Sequence, residues 1–499
     1  MSAEDIARLR QDLEAFHGEL MLEFYHNHAG LKDEMATVGI YDRYAHLFSK
    51  ESIDATSAAE LASSQEEARG ARYLRAFSTF GLIDSHVKEL TDRANTFEAQ
   101  SVVVFEGEEI PYRHVPLKLR SEQDHSKRAV LFEAKLVETA KLNTILAERV
   151  QTAHDTAKGL GAKDYADLCS KVKGIDYIAL ETDMEDLLHR TEQMYADHMS
   201  ATLQERTGLA IEDAWSFDIP FAFKGQEFDA DFPKERLAEA FFSTLKTLGI
   251  DRAAYPNISI DTEERPKKTP RAFCAPVKVP DDVRLVIMPI GGWKDYQAFF
   301  HEGGHAWHFG SVRQDLPVEY RYLGDNSVTE AFAFLFEHLV TDPLWLEKSV
   351  GMRDSGPFVR FALLNKLMFL RRYACKLMYE LKLHHGHGPV THDMEEVYRT
   401  CLQRGLWFKH TGKHFLEDVD DAFYCAEYLR AWILDAQLRE ALREKFGDAW
   451  FMEKRAGTYL KEMWAYGQKY TADELVKTVG FVELDHGPLL AEMERGLEG

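Results

Sequence analysis

Phe300-His301-Glu302-Gly303-Gly304-His305-Ala306-Trp307-His308 is the stretch on which the reading of this 499-residue chain turns. On a helix, positions four apart share a face, so the imidazoles of His301 and His305 can point at one ion while Glu302 flanks it. In a chain with 21 histidines the bare pattern arises by chance on the order of 0.1 times, so its surroundings have to decide. The two glycines cost a helix interior roughly 1 kcal/mol each relative to Ala, which a purely structural helix has little reason to accept. Glycine beside the imidazoles also lets a neighbouring backbone or a substrate come close.

Working upstream, Arg271 to Val277 and Arg284 to Met288 flank the polar turn Pro280 to Asp282 and read as two antiparallel strands. Pro289, Gly291 and Gly292 follow, and Asp295 reads as the N-cap of a helix carrying Tyr296 through Phe309 and stopping at Gly310. Downstream, Asp325 to Val340 offers Glu330, 25 residues after His305, on a helix read as starting at Ser327. Glu337 lies seven positions further, on nearly the same face.

A catalytic zinc takes three protein ligands and keeps a fourth position for water. His301, His305 and Glu330 therefore read as ligands of one Zn2+ per chain, with Glu302 as the general base. Glu330 has a competing reading, because Ser327-x-x-Glu330 is also a capping box whose glutamate would only bond the N-cap amide. Glu337 reads either as a carboxylate orienting one ligand imidazole through its other ring nitrogen or as a solvated helix charge.

Further out, Ser121 to Lys158 and Thr182 to Glu205 are rich in Ala, Leu, Glu and Lys with apolar residues every three or four positions, the signature of helices. Ser101 to Leu119 interrupts them with Val102 to Phe105, then Glu106-Gly107 and a second run from Ile110 to Val115, which predicts a short hairpin. Val359 to His384, His392 to Cys401 and Asp421 to Phe446 read as further helices. The expected fold is mainly α and two-lobed, with a small antiparallel sheet beside the HExxH helix. The expected division is residues 1–209 as an amino-terminal helical lobe and residues 210–499 as a catalytic lobe.

The chain is 45% hydrophobic and 12% aromatic, and its 29% charged residues are spread along it, as in an ordinary folded protein. A formal charge of -23 argues against phosphate backbones and anionic membrane surfaces as partners. Met1 to Gly18 lacks the apolar run of a signal peptide, no window approaches the ~18 apolar residues of a membrane span, and a cytoplasmic location is expected. Five cysteines, Cys169, Cys274, Cys375, Cys401 and Cys425, with no CxxC pair, read as buried thiols rather than a disulfide framework or a thiolate metal site.

These residues resemble the thimet oligopeptidase and oligoendopeptidase F family of zinc peptidases. Its hallmark, Phe-His-Glu-x-Gly-His-Ala-x-His, is similar to Phe300 through His308, and its second hallmark, a Glu-Ala about 25 residues on with another Glu at the seventh position, is matched by Glu330, Ala331 and Glu337. Ala272-Phe273-Cys274 is similar to the family's edge strand, and Trp215 with Asp218 to a Trp-x-x-Asp patch. The likeness spans roughly Ala214 to Trp432. It implies a mostly helical body with zinc deep in a channel that admits short unfolded peptides, and an edge strand that pairs with the peptide backbone.

The resemblance also implies tyrosines that bond the tetrahedral intermediate, in a stretch similar to Asp421 through Leu429. Tyr424 and Tyr428 are the candidates there. Asp420 stands in place of the family's first tyrosine, and the two tyrosines are four apart rather than three. His410 and His414 lie near the family's substrate-binding histidine without aligning to it, and Gly303 stands where a bulkier residue is usual.

The expected activity is cleavage of internal bonds in short peptides. One alternative is a peptidyl-dipeptidase or carboxypeptidase with Arg430 or Lys413 gripping the terminal carboxylate. Another is a catalytically silent peptide-binding protein, which the intact Glu302 disfavours.

Overall fold

A computed structural model describes residues 3–498 apart from 33, 63, 266, 270, 386–389, 391 and 392. The chain divides into two compact units, each built from separated segments. The first takes Met1–Gly81, Gln226–Ala362 and Glu427–Glu492, and the second Leu82–Gly225, Leu363–Ala426 and Met493–Gly499.

The second unit is helical, with one short ribbon. Several of its helix ends follow directly from their sequences. Asp124 caps His125–Gly159 by accepting from the Lys127 amide, and Gly174 and Gly208 stop Tyr165–Lys173 and Glu192–Thr207 in the left-handed conformation that glycine adopts freely. The ribbon pairs β1 (Val102–Phe105) antiparallel with β2 (Glu108–Pro111), and Val103, Phe105 and Ile110 pack against Leu131 and Phe132 of the long helix. The second run was expected to extend from Ile110 to Val115. It ends at Pro111 instead, which offers no N–H for further pairing, and the chain turns through Tyr112–His114 into a helix. The helix expected from His392 runs from Asp393 to Leu406, and His392 itself lies outside the described residues.

The first unit carries a three-stranded sheet in the order β3 (Ile258–Asp261), β5 (Asp282–Val286), β4 (Phe273–Lys278). The expected pair, β4 and β5, is antiparallel with Cys274 opposite Leu285. The sequence reading missed β3, which lies parallel to β5 with Ile258 opposite Val283. Val283, Leu285 and Val286 of the central strand are fully buried.

Beside this sheet runs the motif helix Trp293–Gly310, which lies against the helix Asn326–Leu339. The motif helix starts two residues before Asp295, at Trp293, with Gly292 (φ 94°) preceding it. Asp295 is therefore not the N-cap. Its carboxylate reaches back to accept from the amides of Ile290 and Gly291, 2.6 Å each, and fixes the loop that enters the helix.

All five cysteines are free, and four of them are buried. No described helix is long and apolar enough to cross a membrane.

Candidate metal centre

Two glycines let the motif helix sit where it does. A Cβ on Gly304 would lie 2.6 Å from Ala333 Cα and 2.7 Å from the Phe332 carbonyl, so the two helices touch backbone to backbone there. A Cβ on Gly303 would lie 2.3 Å from the Phe241 ring, and that ring also packs edge-on against Phe299, Phe300 and Trp307. The space a bulkier residue would fill at position 303 is thus occupied by Phe241.

The close crossing brings Glu330 to the imidazoles. Its Oε2 lies 3.3 Å from His301 Nε2 and 3.5 Å from His305 Nε2, and one ligand atom from each of the three residues lies within 4.8 Å of the others. The N-cap of the second helix is Asp325, whose side chain accepts from the Ser327 amide, so Glu330 is not the arm of a capping box. That helix begins at Asn326, one residue before the expected start.

Electrostatics at this point favour a positive charge. Burial raises Glu330, but the imidazoles of His305 and His301 outweigh it and hold the carboxyl far below the usual range. Burial lowers His301, but the carboxylates of Glu330 and Glu337 outweigh that and hold the imidazole well above its ordinary value. Two imidazole nitrogens and a buried carboxylate oxygen converging in this way are a donor set suited to Zn2+. The residues fit the ion.

Glu302, next to His301 on the motif helix, reaches the edge strand. Its Oε2 accepts a 2.9 Å hydrogen bond from the Cys274 amide of β4. Burial raises the carboxyl above its usual value, partly offset by His301 and His305. The edge-strand amide expected to meet a peptide backbone is therefore engaged by the expected general base. The Cys274 thiol is pushed well up by burial and by the Glu302 charge.

Around these residues lies a ring of supporting contacts. Glu337 Oε2 lies 2.8 Å from His301 Nδ1 and its Oε1 accepts from Gln297 Nε2 at 2.6 Å, so Glu337 has the orienting position rather than that of a solvated charge. His305 Nδ1 lies 2.9 Å from Thr329 Oγ1. Sequence reading missed Gln297, Thr329 and the Cys274 amide. Gln297 and Thr329 carried a weak signal, each being a polar residue one turn or less from a motif residue.

Tyr428 belongs to the same unit. Its ring packs 5.6 Å from Phe334, and Phe334 lies 5.1 Å from His301. Tyr424 opens the same helix one turn earlier, in the second unit, after Ala422 and Phe423 in the left-handed region (φ 51° and 57°). His410 and His414 also belong to the second unit. Burial lowers His410 to about 3, and His414 Nδ1 pairs with Glu417 at 2.5 Å. Asp218 is fully buried against Arg128 and His125 and accepts from the Trp215 amide, which gives the Trp-x-x-Asp patch a packing role. Arg430, one candidate carboxylate anchor, is buried in pairs with Asp325 and Asp473, and Lys413 pairs with Glu395. A second acidic grouping, Glu380, Asp420 and Cys425, already holds the Lys376 ammonium 2.8 Å from Asp420.

No family model and no curated protein matches the chain by sequence. Solved structures do match by fold. One, from Bacillus anthracis and provisionally assigned as an oligoendopeptidase F, has 15% identity and a TM-score of 0.64, covering 98% of this chain and 90% of that one. Another structure with the same provisional assignment has 15% identity and a TM-score of 0.70 over 100% of this chain and 93% of the other. PZ peptidase A, solved with an inhibitor, has 14% identity and a TM-score of 0.63 over 89% and 83%. The chain shares the mainly helical fold of these structures.

Proposed function

We propose that the protein is a zinc-dependent oligopeptidase that hydrolyses internal bonds of short unfolded peptides. The observation that carries this reading is the convergence of His301, His305 and Glu330, with the Glu302 carboxyl close enough to feel the charge of all three. The fold shared with structures named for peptidases supports it.

In this reading His301, His305 and Glu330 hold the ion. When bound, zinc supplies Lewis acidity, which acidifies water and polarises a carbonyl. Glu302 takes the proton of the attacking water and delivers it to the leaving amine, the work of a general base followed by a general acid. Its position beside the imidazole pair on the motif helix suits that role. The hydroxyl of Tyr428, or of Tyr424 one turn before it, donates to the oxygen on which negative charge develops. Glu337 keeps the His301 ring in place, as carboxylates do for ligand imidazoles. The edge strand β4 would align the peptide backbone by strand addition, which requires the Cys274 amide to exchange Glu302 for the substrate or neighbouring amides of β4 to serve.

The test is elemental analysis of purified protein beside cleavage of a quenched fluorescent nonapeptide with and without chelator. About one zinc per chain and chelator-sensitive internal cleavage are expected. No metal and no cleavage would favour the catalytically silent peptide-binding protein, and release of terminal dipeptides alone would favour an exopeptidase.

A further inference from the structure

Beyond the residues that meet the ion, a chain of hydrogen bonds runs from a backbone carbonyl to His305. His308 Nε2 lies 3.3 Å from the Gly467 carbonyl oxygen, His308 Nδ1 lies 3.1 Å from Thr329 Oγ1, and the same Oγ1 lies 2.9 Å from His305 Nδ1. Gly467 has φ 58°, and a Cβ there would meet the Tyr320 carbonyl at 2.4 Å, so glycine is what allows its carbonyl to stand at this place.

The direction of every proton in the chain follows from its far end. A carbonyl only accepts, so His308 Nε2 carries a hydrogen. His308 is fully buried, with the rings of Phe309 and Phe332 beside it, and both its ring nitrogens face neutral partners, which keeps the imidazole neutral. Its Nδ1 is then an acceptor, and Thr329 donates its hydroxyl hydrogen to it. A hydroxyl has one hydrogen, so towards His305 the Thr329 oxygen can only accept. His305 must therefore carry a hydrogen on Nδ1, which makes Nε2, 3.5 Å from Glu330 Oε2, the nitrogen that faces the carboxylate.

We propose that Thr329 and His308 are positioning residues that set the tautomer of His305 and leave its Nε2 ready for a metal. They touch neither substrate nor ion and act only through His305. The proposal rests on the reading of His305 as a ligand, yet the tautomer can be observed without metal. At His301 the Nδ1 hydrogen is directed by a charged carboxylate, Glu337. At His305 it is directed by a neutral relay, so the two imidazoles place a hydrogen on Nδ1 by different means.

The experiment compares the wild-type chain with Thr329→Val, Thr329→Ser and His308→Phe. Zinc affinity is measured by chelator competition, and the ring nitrogens of 15N-histidine-labelled, metal-free protein are observed by NMR. The wild type is expected to show His305 protonated on Nδ1 before metal is added. Thr329→Val is expected to lose that preference and bind zinc about 10–100-fold more weakly, the usual effect of removing a partner of a ligand imidazole. Thr329→Ser restores both. His308→Phe frees the Thr329 hydrogen to turn towards His305 and mixes the tautomers. Wild-type His305 with no hydrogen on Nδ1, or zinc bound by Thr329→Val as tightly as by the wild type, overturns the proposal. A Thr329→Val chain that does not fold leaves the wild-type spectrum and His308→Phe to decide. A wild type that binds no zinc but shows the Nδ1 proton, lost in Thr329→Val, sinks the metal reading and upholds the relay.

Discussion

The amide of Cys274 on the edge strand donates to Glu302 Oε2 at 2.9 Å, so the expected general base is held by the strand expected to receive the substrate. Glu302→Gln retains an acceptor for this bond and leaves His301, His305 and Glu330 in place, but an amide cannot take a proton from water. The variant is expected to bind zinc as the wild type does and to lose about 10²–10⁴-fold in kcat. Full peptide cleavage by a zinc-loaded Glu302→Gln enzyme would remove Glu302 from the mechanism.

Glu337 is bonded on both oxygens, to His301 Nδ1 and to Gln297. Glu337→Ala frees the His301 ring to rotate and removes the charge that favours its Nδ1 proton. Zinc affinity is expected to drop about 10–100-fold, whereas His301→Ala should abolish stoichiometric binding. Chelator competition on the two variants separates an orienting residue from a ligand; equal losses would mean that Glu337 is itself a ligand or that His301 is not.

Tyr428 reaches the neighbourhood of the imidazoles through one intervening ring, that of Phe334. Replacing it with Phe keeps that packing and deletes only the hydroxyl. If the hydroxyl donates to the developing oxyanion, kcat falls by about 10²-fold or more with little change in KM. Tyr424→Phe, measured alongside, decides between the two tyrosines, and unchanged kcat in both would exclude either as the donor.

Gly304 is where the two site helices touch, with Ala333 Cα 2.6 Å from the position of an added Cβ. Both obstructing groups, Ala333 Cα and the Phe332 carbonyl, are backbone, so neither can swing aside. Gly304→Ala is expected to destabilise the fold by about 1–3 kcal/mol as overpacking does, against the ~1 kcal/mol gain that Ala brings to an unconstrained helix position. It should also weaken zinc binding by moving Glu330 away from the imidazoles. A higher Tm for the variant would mean that the helices are not in contact there.

These cases show what a single sequence makes legible. The i, i+4 spacing of His301 and His305 is a local property of a helix, and the strand pair before it was visible from its own alternation and turn. Glu330 became readable only once the histidines were accepted, because its distance along the chain says nothing of a crossing made possible by Gly304 and Ala333. β3 was missed because Ile258–Asp261 is four residues long and its partner, β5, lies parallel to it after an intervening strand. Asp295 was misplaced because a helix start at Trp293 and a carboxylate reaching backwards use the same residues as an ordinary N-cap. The contacts of Cys274, Thr329 and His308 depend on tertiary approach, and no spacing rule announces them.

Away from the centre, Glu380 offers a test in pH. It is fully buried, accepts from the Asp420 amide at 2.8 Å and from the Cys425 thiol at 3.2 Å, and has Lys376 Nζ 3.9 Å away. Burial outweighs the lysine and pushes its carboxyl from 4.5 to about 8. The native state therefore holds this proton between those values while the unfolded chain has released it. The group's contribution to stability is fully present below about 4.5, is lost progressively as pH rises towards 8, and changes no further above that. At about 1.36 kcal/mol per pH unit across that window, the loss amounts to several kcal/mol. Glu380→Gln stays neutral at every pH and keeps one acceptor oxygen. Its Tm is expected to match the wild type most closely near pH 5 and to exceed it increasingly towards pH 8. Thermal unfolding of both proteins at several pH values checks this, and parallel profiles would mean that Glu380 is already ionised in the folded protein, with Lys376 as its counter-charge.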